Sequence, residues 1–207
     1  MASAEYRLEY FNLRGRAEPV RWLLAVAEQP YQDIRYNKET EWPRRKSETP
    51  YGKLPVLYVD GRPLSQSVAI CRYLGVRHGL AASDPWLAAV GDEVADSVHD
   101  LLPHGAQIVY AKLANDTEKS KRLATEFYTS TLPPAVRELE RRLQQNTYFC
   151  GDQLTWVDVF VTCYLSQMKG QNSDCLNSAP KLRALMASVT KMPSLKKWLD
   201  ERPHTVM

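Results

Sequence analysis

Tyr6-Arg7-Leu8-Glu9-Tyr10, followed at once by Phe11-Asn12-Leu13-Arg14-Gly15-Arg16-Ala17-Glu18-Pro19, is the stretch on which the fold turns. The first five residues alternate as a half-buried strand does, and a helical period follows in which Val20, Leu23, Leu24 and Ala27 share one face. Pro19 is tolerated because it lies in the first turn of that helix. Tyr31–Tyr36 reads as a second strand, then a loop holds Trp42-Pro43 and Pro50. Leu54–Val59 is apolar and β-rich, and Asp60-Gly61 turns it tightly into Pro63-Leu64. Ser67 opens a helix whose Ile70, Tyr73 and Leu74 form an apolar face, and Gly79 ends it. The order β-α-β, then β-β-α, predicts a thioredoxin-like α/β domain over residues 1–79.

From residue 84 onward strand signals vanish, which predicts an all-α C-terminal helical domain over 84–207. Val90, Val94, Val98 and Leu101 carry a long stripe that Pro103 should bend. Pro133-Pro134 should interrupt or kink the next helical stretch. Thr155-Trp156-Val157-Asp158 has capping-box spacing, with Asp in place of Glu. Two shorter helices, near 180–190 and 193–201, finish the chain.

The chain has 207 residues, a net charge of +3 and ordinary hydrophobic and charged fractions. Such a balance argues against disorder and against nucleic acid as the main partner. No apolar run reaches transmembrane length, and strand pattern begins too early for a signal peptide, so no membrane partner and a cytoplasmic location are expected. Cys71, Cys150, Cys163 and Cys175 lack metal-ligand spacing and read as reduced thiols.

Three segments in this order, the Tyr10–Glu18 run, Gly52-Lys53-Leu54-Pro55-Val56-Leu57 and Leu64-Ser65-Gln66-Ser67, resemble the cytosolic glutathione transferases. The Tyr-Phe-Asn-Leu-Arg-Gly-Arg-Ala-Glu run is similar to their sigma class, which includes the haematopoietic prostaglandin D synthases. Gly151–Asp158 looks like the capping signature of that family's second domain. The resemblance implies a transferase that uses glutathione as co-substrate, acting as a homodimer on small hydrophobic electrophiles in detoxification; from the residues themselves no metal is expected. Prostaglandin-H2 D-isomerase is the alternative activity, and a crystallin-like or ligand-carrier protein the non-catalytic one.

The resemblance also assigns residues. A thiol of pKa about 8.5 is mostly protonated at neutral pH, and lowering that by roughly two units takes about 2.7 kcal/mol. Tyr10, as hydrogen-bond donor, and Arg16, as supporting charge, are the implied catalytic pair; Arg14 is left structural. Leu54-Pro55 looks like a cis-proline site that offers backbone to the cysteinyl residue, with Gly52 and Lys53 beside it. Gln66 and Ser67 would hold the γ-glutamyl carboxylate at a helix N-terminus. Trp42 and Lys46 would close over the glycyl end, and Asp100 would reach the partner subunit's glutathione. An electrophile site between the domains is expected around Phe11, Leu13, Gln107, Phe160, Tyr164 and Met207. Phe160 and Tyr164 read equally well as core. Gln107 stands where the prostaglandin branch carries tryptophan. Asp92, Asp96, His99 and Asp100 line one side of a helix, which reads as a solvated stripe or dimer seam sooner than a metal site.

Overall fold

A computed structural model describes residues 4–143 and 146–205. The chain divides into two compact units, Met1–Ala81 with Val189–Met207, and Ala82–Ser188. Residues 189–207, which the sequence pattern groups with the helical part, thus cluster with the sheet-bearing unit.

In the first unit, β1 (Tyr6–Phe11), β2 (Gln32–Tyr36), β3 (Val56–Val59) and β4 (Arg62–Ser65) form one sheet in the order β2-β1-β3-β4. β1 runs parallel to β2 and antiparallel to β3, and β3 pairs antiparallel with β4. The parallel pair needs a crossover, which α1 (Glu18–Val26) supplies; the β3–β4 pair needs only the Asp60-Gly61 turn. Both turn residues have positive φ, 50° and 78°, the geometry that matches the twist of a two-residue hairpin. α2 (Trp42–Arg45) lies in the long loop, and α3 (Ser67–Arg77) follows β4. α1 packs on α3 and on α10 (Pro193–Glu201), so the C-terminal helix completes this unit. Leu8, Val20, Leu24, Leu57 and Ile70 are fully buried here. This is the thioredoxin-like arrangement that the strand and helix order predicted.

The second unit holds α4 (Pro85–His99), α5 (Leu102–Leu113), α6 (Thr117–Glu126), α7 (Leu132–Arg142), α8 (Trp156–Gln171) and most of α9 (Pro180–Thr190). Its centre is α8, buried from Trp156 through Leu165, as expected of a helix apolar on every side. Instead of bending one long helix, Pro103 sits in the first turn of α5, and α4 ends at His99. A proline four residues past that carbonyl cannot donate to it, and its ring would collide with it. At Pro133-Pro134 the chain does not break: a π-turn at Phe127–Thr131 widens the helix and leads directly into α7, whose first turn accepts the prolines. No helix among the described residues is long and apolar enough to cross a membrane.

Candidate active site

β1 delivers Tyr10 to the end of the sheet, 7% exposed, and the chain then turns sharply. Leu13 N–H donates to the Phe11 carbonyl at 2.7 Å, and a short 3-10 turn, Gly15–Ala17, leads into α1. That turn brings the Arg16 backbone N–H onto the Tyr10 hydroxyl oxygen at 3.2 Å. A phenol that accepts a hydrogen bond still carries its own O–H, and the accepted bond makes it a better donor. The turn lies very close to the phenol. Gly15 has φ +43°, and a Cβ there would stand 2.7 Å from the Tyr10 hydroxyl and 2.6 Å from Leu13 Cδ1. Only glycine fits without displacing one of them. The Arg16 side chain is exposed.

A buried charge network lies beneath this turn, and sequence reasoning missed it. Arg21, 0% exposed, donates through Nη1 to the Leu13 carbonyl at 3.0 Å and to Glu18 Oε2 at 3.2 Å. Its Nε bonds Asp33, and its guanidinium lies 6.0 Å from the Tyr10 ring centre. Glu18, 1% exposed, accepts Trp22 Nε1 on its other oxygen. The available signal was the acid and base three residues apart on an otherwise apolar helix face. Glu9, also fully buried on β1, was missed too; Arg7 stands 3.1 Å and Arg45 of α2 3.6 Å from its Oε1.

The other expected residues of this unit form two further groups. Trp42 begins α2, half-buried, its ring edge-on to Phe11 at 5.6 Å. Lys46 is exposed, and its aliphatic stem runs 3.5 Å from where a Gly52 Cβ would be, so Lys46 and Gly52 are neighbours. Lys53 is exposed and extended, and the Leu54–Pro55 peptide is cis, just before the β3 ladder begins at Val56. Gln66, between β4 and α3, has φ +74° and ψ +114°, an unfavourable conformation for a residue with a Cβ. Its side chain is exposed and makes no capping bond to α3, while Ser67 is buried. Strain of this kind clusters where a backbone must meet a ligand. Residue type alone gave no sign of it.

In the helical unit, Asp100 is exposed at the C-cap of α4, its N–H on the Asp96 carbonyl at 3.0 Å. Gln107 is exposed on α5. Phe160 is 0% and Tyr164 4% exposed; Phe160 packs edge-on against Trp156 at 6.0 Å and Tyr164 at 4.9 Å. Of the two readings left open for this pair, the burial favours core packing for Phe160. Met207 lies outside the described residues. Among the described residues no group of three or more His, Cys, Asp or Glu side chains could hold a metal ion.

Burial raises the thiols of Cys71, Cys150 and Cys175 above the ordinary cysteine range. Such thiols are poor nucleophiles at neutral pH, so sulfur chemistry here would use a thiol brought by a ligand.

Residues 6–75 match the family model for the glutathione S-transferase N-terminal domain, and residues 99–202 that for the glutathione S-transferase C-terminal domain. The chain is 32% identical to hematopoietic prostaglandin D synthase of Gallus gallus over 98% of each chain. It is 34% identical to glutathione S-transferase S1 of Drosophila melanogaster, over 97% of this chain and 80% of that one. Among solved structures it is similar to monomeric Na-GST-3, a glutathione S-transferase of the hookworm Necator americanus. There the TM-score is 0.86 and the identity 31%, over 98% of this chain and 100% of that one.

Proposed function

The chain belongs to the glutathione S-transferase family, and we propose that it joins the sulfur of glutathione to small hydrophobic electrophiles, as a sigma-class detoxification enzyme of the cytoplasm. The observation that carries this is Tyr10, its hydroxyl oxygen held by the Arg16 N–H at 3.2 Å at the end of β1. In the proposed reaction the Tyr10 O–H donates to the glutathione sulfur and stabilises it as thiolate, the thiol proton passing to solvent. The exposed Arg16 guanidinium adds favourable charge. A sulfur lone pair then forms the C–S bond. On an aryl halide the halide leaves with its bonding pair; on an unsaturated carbonyl the π electrons move to oxygen and a proton is taken up at carbon.

The rest of glutathione is assigned by its charges. The γ-glutamyl carboxylate goes to Gln66 and Ser67, where the start of α3 supplies amides and a favourable dipole. The cysteinyl backbone pairs with Leu54 before Pro55 in strand fashion. The glycyl carboxylate goes to Lys46, with Trp42, Gly52 and Lys53 around it; the contact of Lys46 with Gly52 supports this grouping. We assign electrophile recognition to Phe11 and Leu13 in the sheet-bearing unit and to Gln107 in the helical unit; Tyr164, 4% exposed, packs with Phe160 along its own helix. Asp100 would act on the glutathione of a partner subunit in a homodimer. The Necator americanus relative is described as monomeric, so sedimentation of this chain at assay concentration is the relevant check; a fully active monomer removes the Asp100 role.

Tyr10→Phe tests the reading. Turnover with a generic aryl halide should fall roughly 10- to 1000-fold, the range for losing one anion-stabilising donor. Retention on immobilised glutathione should persist. Unchanged turnover at neutral pH removes Tyr10 as thiolate stabiliser, and retention without any conjugation favours a ligand carrier. A second reading, isomerisation of prostaglandin H2, draws on the name of the Gallus gallus relative. The exposed amide of Gln107 offers little apolar area for a long lipid, so aryl conjugation should exceed prostaglandin D2 formation when both are assayed. The reverse result selects the isomerase.

A further inference from the structure

We infer that Arg202, near the C-terminus, is a positioning residue for the thiolate site, acting on Tyr10 through Glu18 and Arg21. This rests on the reading of Tyr10 given above. The contacts run without a gap through one compact unit. Arg202 Nη1 donates to Glu18 Oε1 at 2.7 Å, and Trp198 Nε1 of α10 reaches the same oxygen at 3.3 Å. Glu18 Oε2 accepts Arg21 Nη1 at 3.2 Å, and that same nitrogen donates to the Leu13 carbonyl at 3.0 Å. Two residues on is Gly15, which leaves no room for a Cβ against the Tyr10 hydroxyl, and after it the Arg16 N–H that donates to that hydroxyl. A second tie is independent of Glu18: Arg14 Nη2 donates to the Thr205 carbonyl at 3.2 Å. The C-terminal segment thus holds the catalytic turn at two points, Glu18 behind it and Arg14 within it.

The electrostatics explain why the tie matters. Glu18 is 1% exposed, and a carboxylate that deep requires cationic partners. Arg202 and Arg21 share it, one on each oxygen. Without Arg202, Arg21 becomes the principal cation for Glu18, and its Nη1 is drawn away from the Leu13 carbonyl. The turn then loses the bond that fixes its height above Tyr10. Catalytic geometry is sensitive at this scale, since a displacement of about 1 Å can cost on the order of 100-fold.

Arg202→Gln should raise the apparent pKa of bound glutathione, read by thiolate absorbance, by roughly half to one unit and shift the pH–rate profile alkaline to match. Turnover at neutral pH should fall roughly 3- to 10-fold while the KM for glutathione stays within about two-fold. Arg202→Lys should restore most of the loss by returning the charge. Arg14→Gln, which cuts the Thr205 tie alone, should move the profile the same way to a smaller extent, and serves if Arg202→Gln folds poorly. Tyr10→Phe is run beside them. If it shifts the thiol pKa and neither arginine variant does, the positioning role is wrong even if both variants melt earlier. If Tyr10→Phe leaves the thiol pKa where it was, the thiolate reading fails and takes the positioning role with it.

Discussion

Two helix starts in this protein satisfy the same physical demand in opposite ways. At α8 the chain seals its own terminus. Asp158 accepts the Thr155 N–H and Oγ1–H on one oxygen, both at 2.8 Å, and the Phe149 N–H on the other at 2.9 Å, all buried. At α3 the preceding residue, Gln66, makes no capping bond, is exposed and sits at φ +74°. Every helix leaves its first amides without internal partners. Where side chains from the same segment supply them, the terminus contributes stability. Where the chain instead accepts strain and exposure, the terminus is available to an anion. The contrast separates a sealed cap from the proposed carboxylate site using hydrogen bonds and one dihedral angle.

Removing the seal should have the largest effect. Asp158→Ala leaves the Phe149 and Thr155 donors buried without their acceptor, and should cost about 3–5 kcal/mol in urea unfolding. The glutathione KM of the folded fraction should be unchanged; a loss under about 1 kcal/mol would show that α8 is not held by this cap. Gln66→Gly should do the opposite. It relieves the positive φ and so keeps or slightly raises the melting temperature, while the glutathione KM rises roughly 10-fold, about 1.4 kcal/mol. If KM does not move, the open helix start is not where glutathione binds, and the contrast loses its functional half.

The smallest effect is a pH slope. Burial pushes the Asp158 carboxyl up to about 6 against the pull of the N–H and hydroxyl groups that donate to it. Between about pH 4 and 6 the folded state therefore holds this proton more tightly than the unfolded chain does. The stability from this group is full below the unfolded pKa and declines as pH rises through the folded one. Melting temperature in that interval should fall with increasing pH, and Asp158→Asn should flatten the slope. An identical slope in the variant would assign the titration to other groups.

Much of the fold was legible because its signals are local. Alternation at Tyr6–Tyr10, the Asp60-Gly61 turn and the apolar period of α1 each need only a few neighbouring residues to be read. The capping residues Thr155 and Asp158 were legible for the same reason. Pro103 was legible as a disruption and becomes a helix start, whereas at Pro133-Pro134 the helix runs on, the π-turn lying just ahead of the prolines. The expected site residues Tyr10, Leu13, Gly52, Lys46, Trp42 and Phe11 fall into neighbouring groups whose members share short stretches of chain or one strand end. Phe160 shows the limit, since a phenylalanine on an apolar helix looks the same whether it lines a pocket or fills a core, and its 0% exposure is a property of the packed unit.

The sequence by itself determined the order of strands and helices, the family, and the identity of the phenol at the end of β1, because periodicity, turn chemistry and a contiguous motif are written residue by residue. The tertiary structure alone decided that residues 189–207 join the sheet-bearing unit, that Glu18 and Arg21 are buried beneath the turn after β1, and that Arg202 reaches Glu18 from the far end of the chain. A charge on an exposed helix face and one in a core are the same letters. What separates them is whether distant segments close over the group, and a buried ion pair forms only once folding has removed the water.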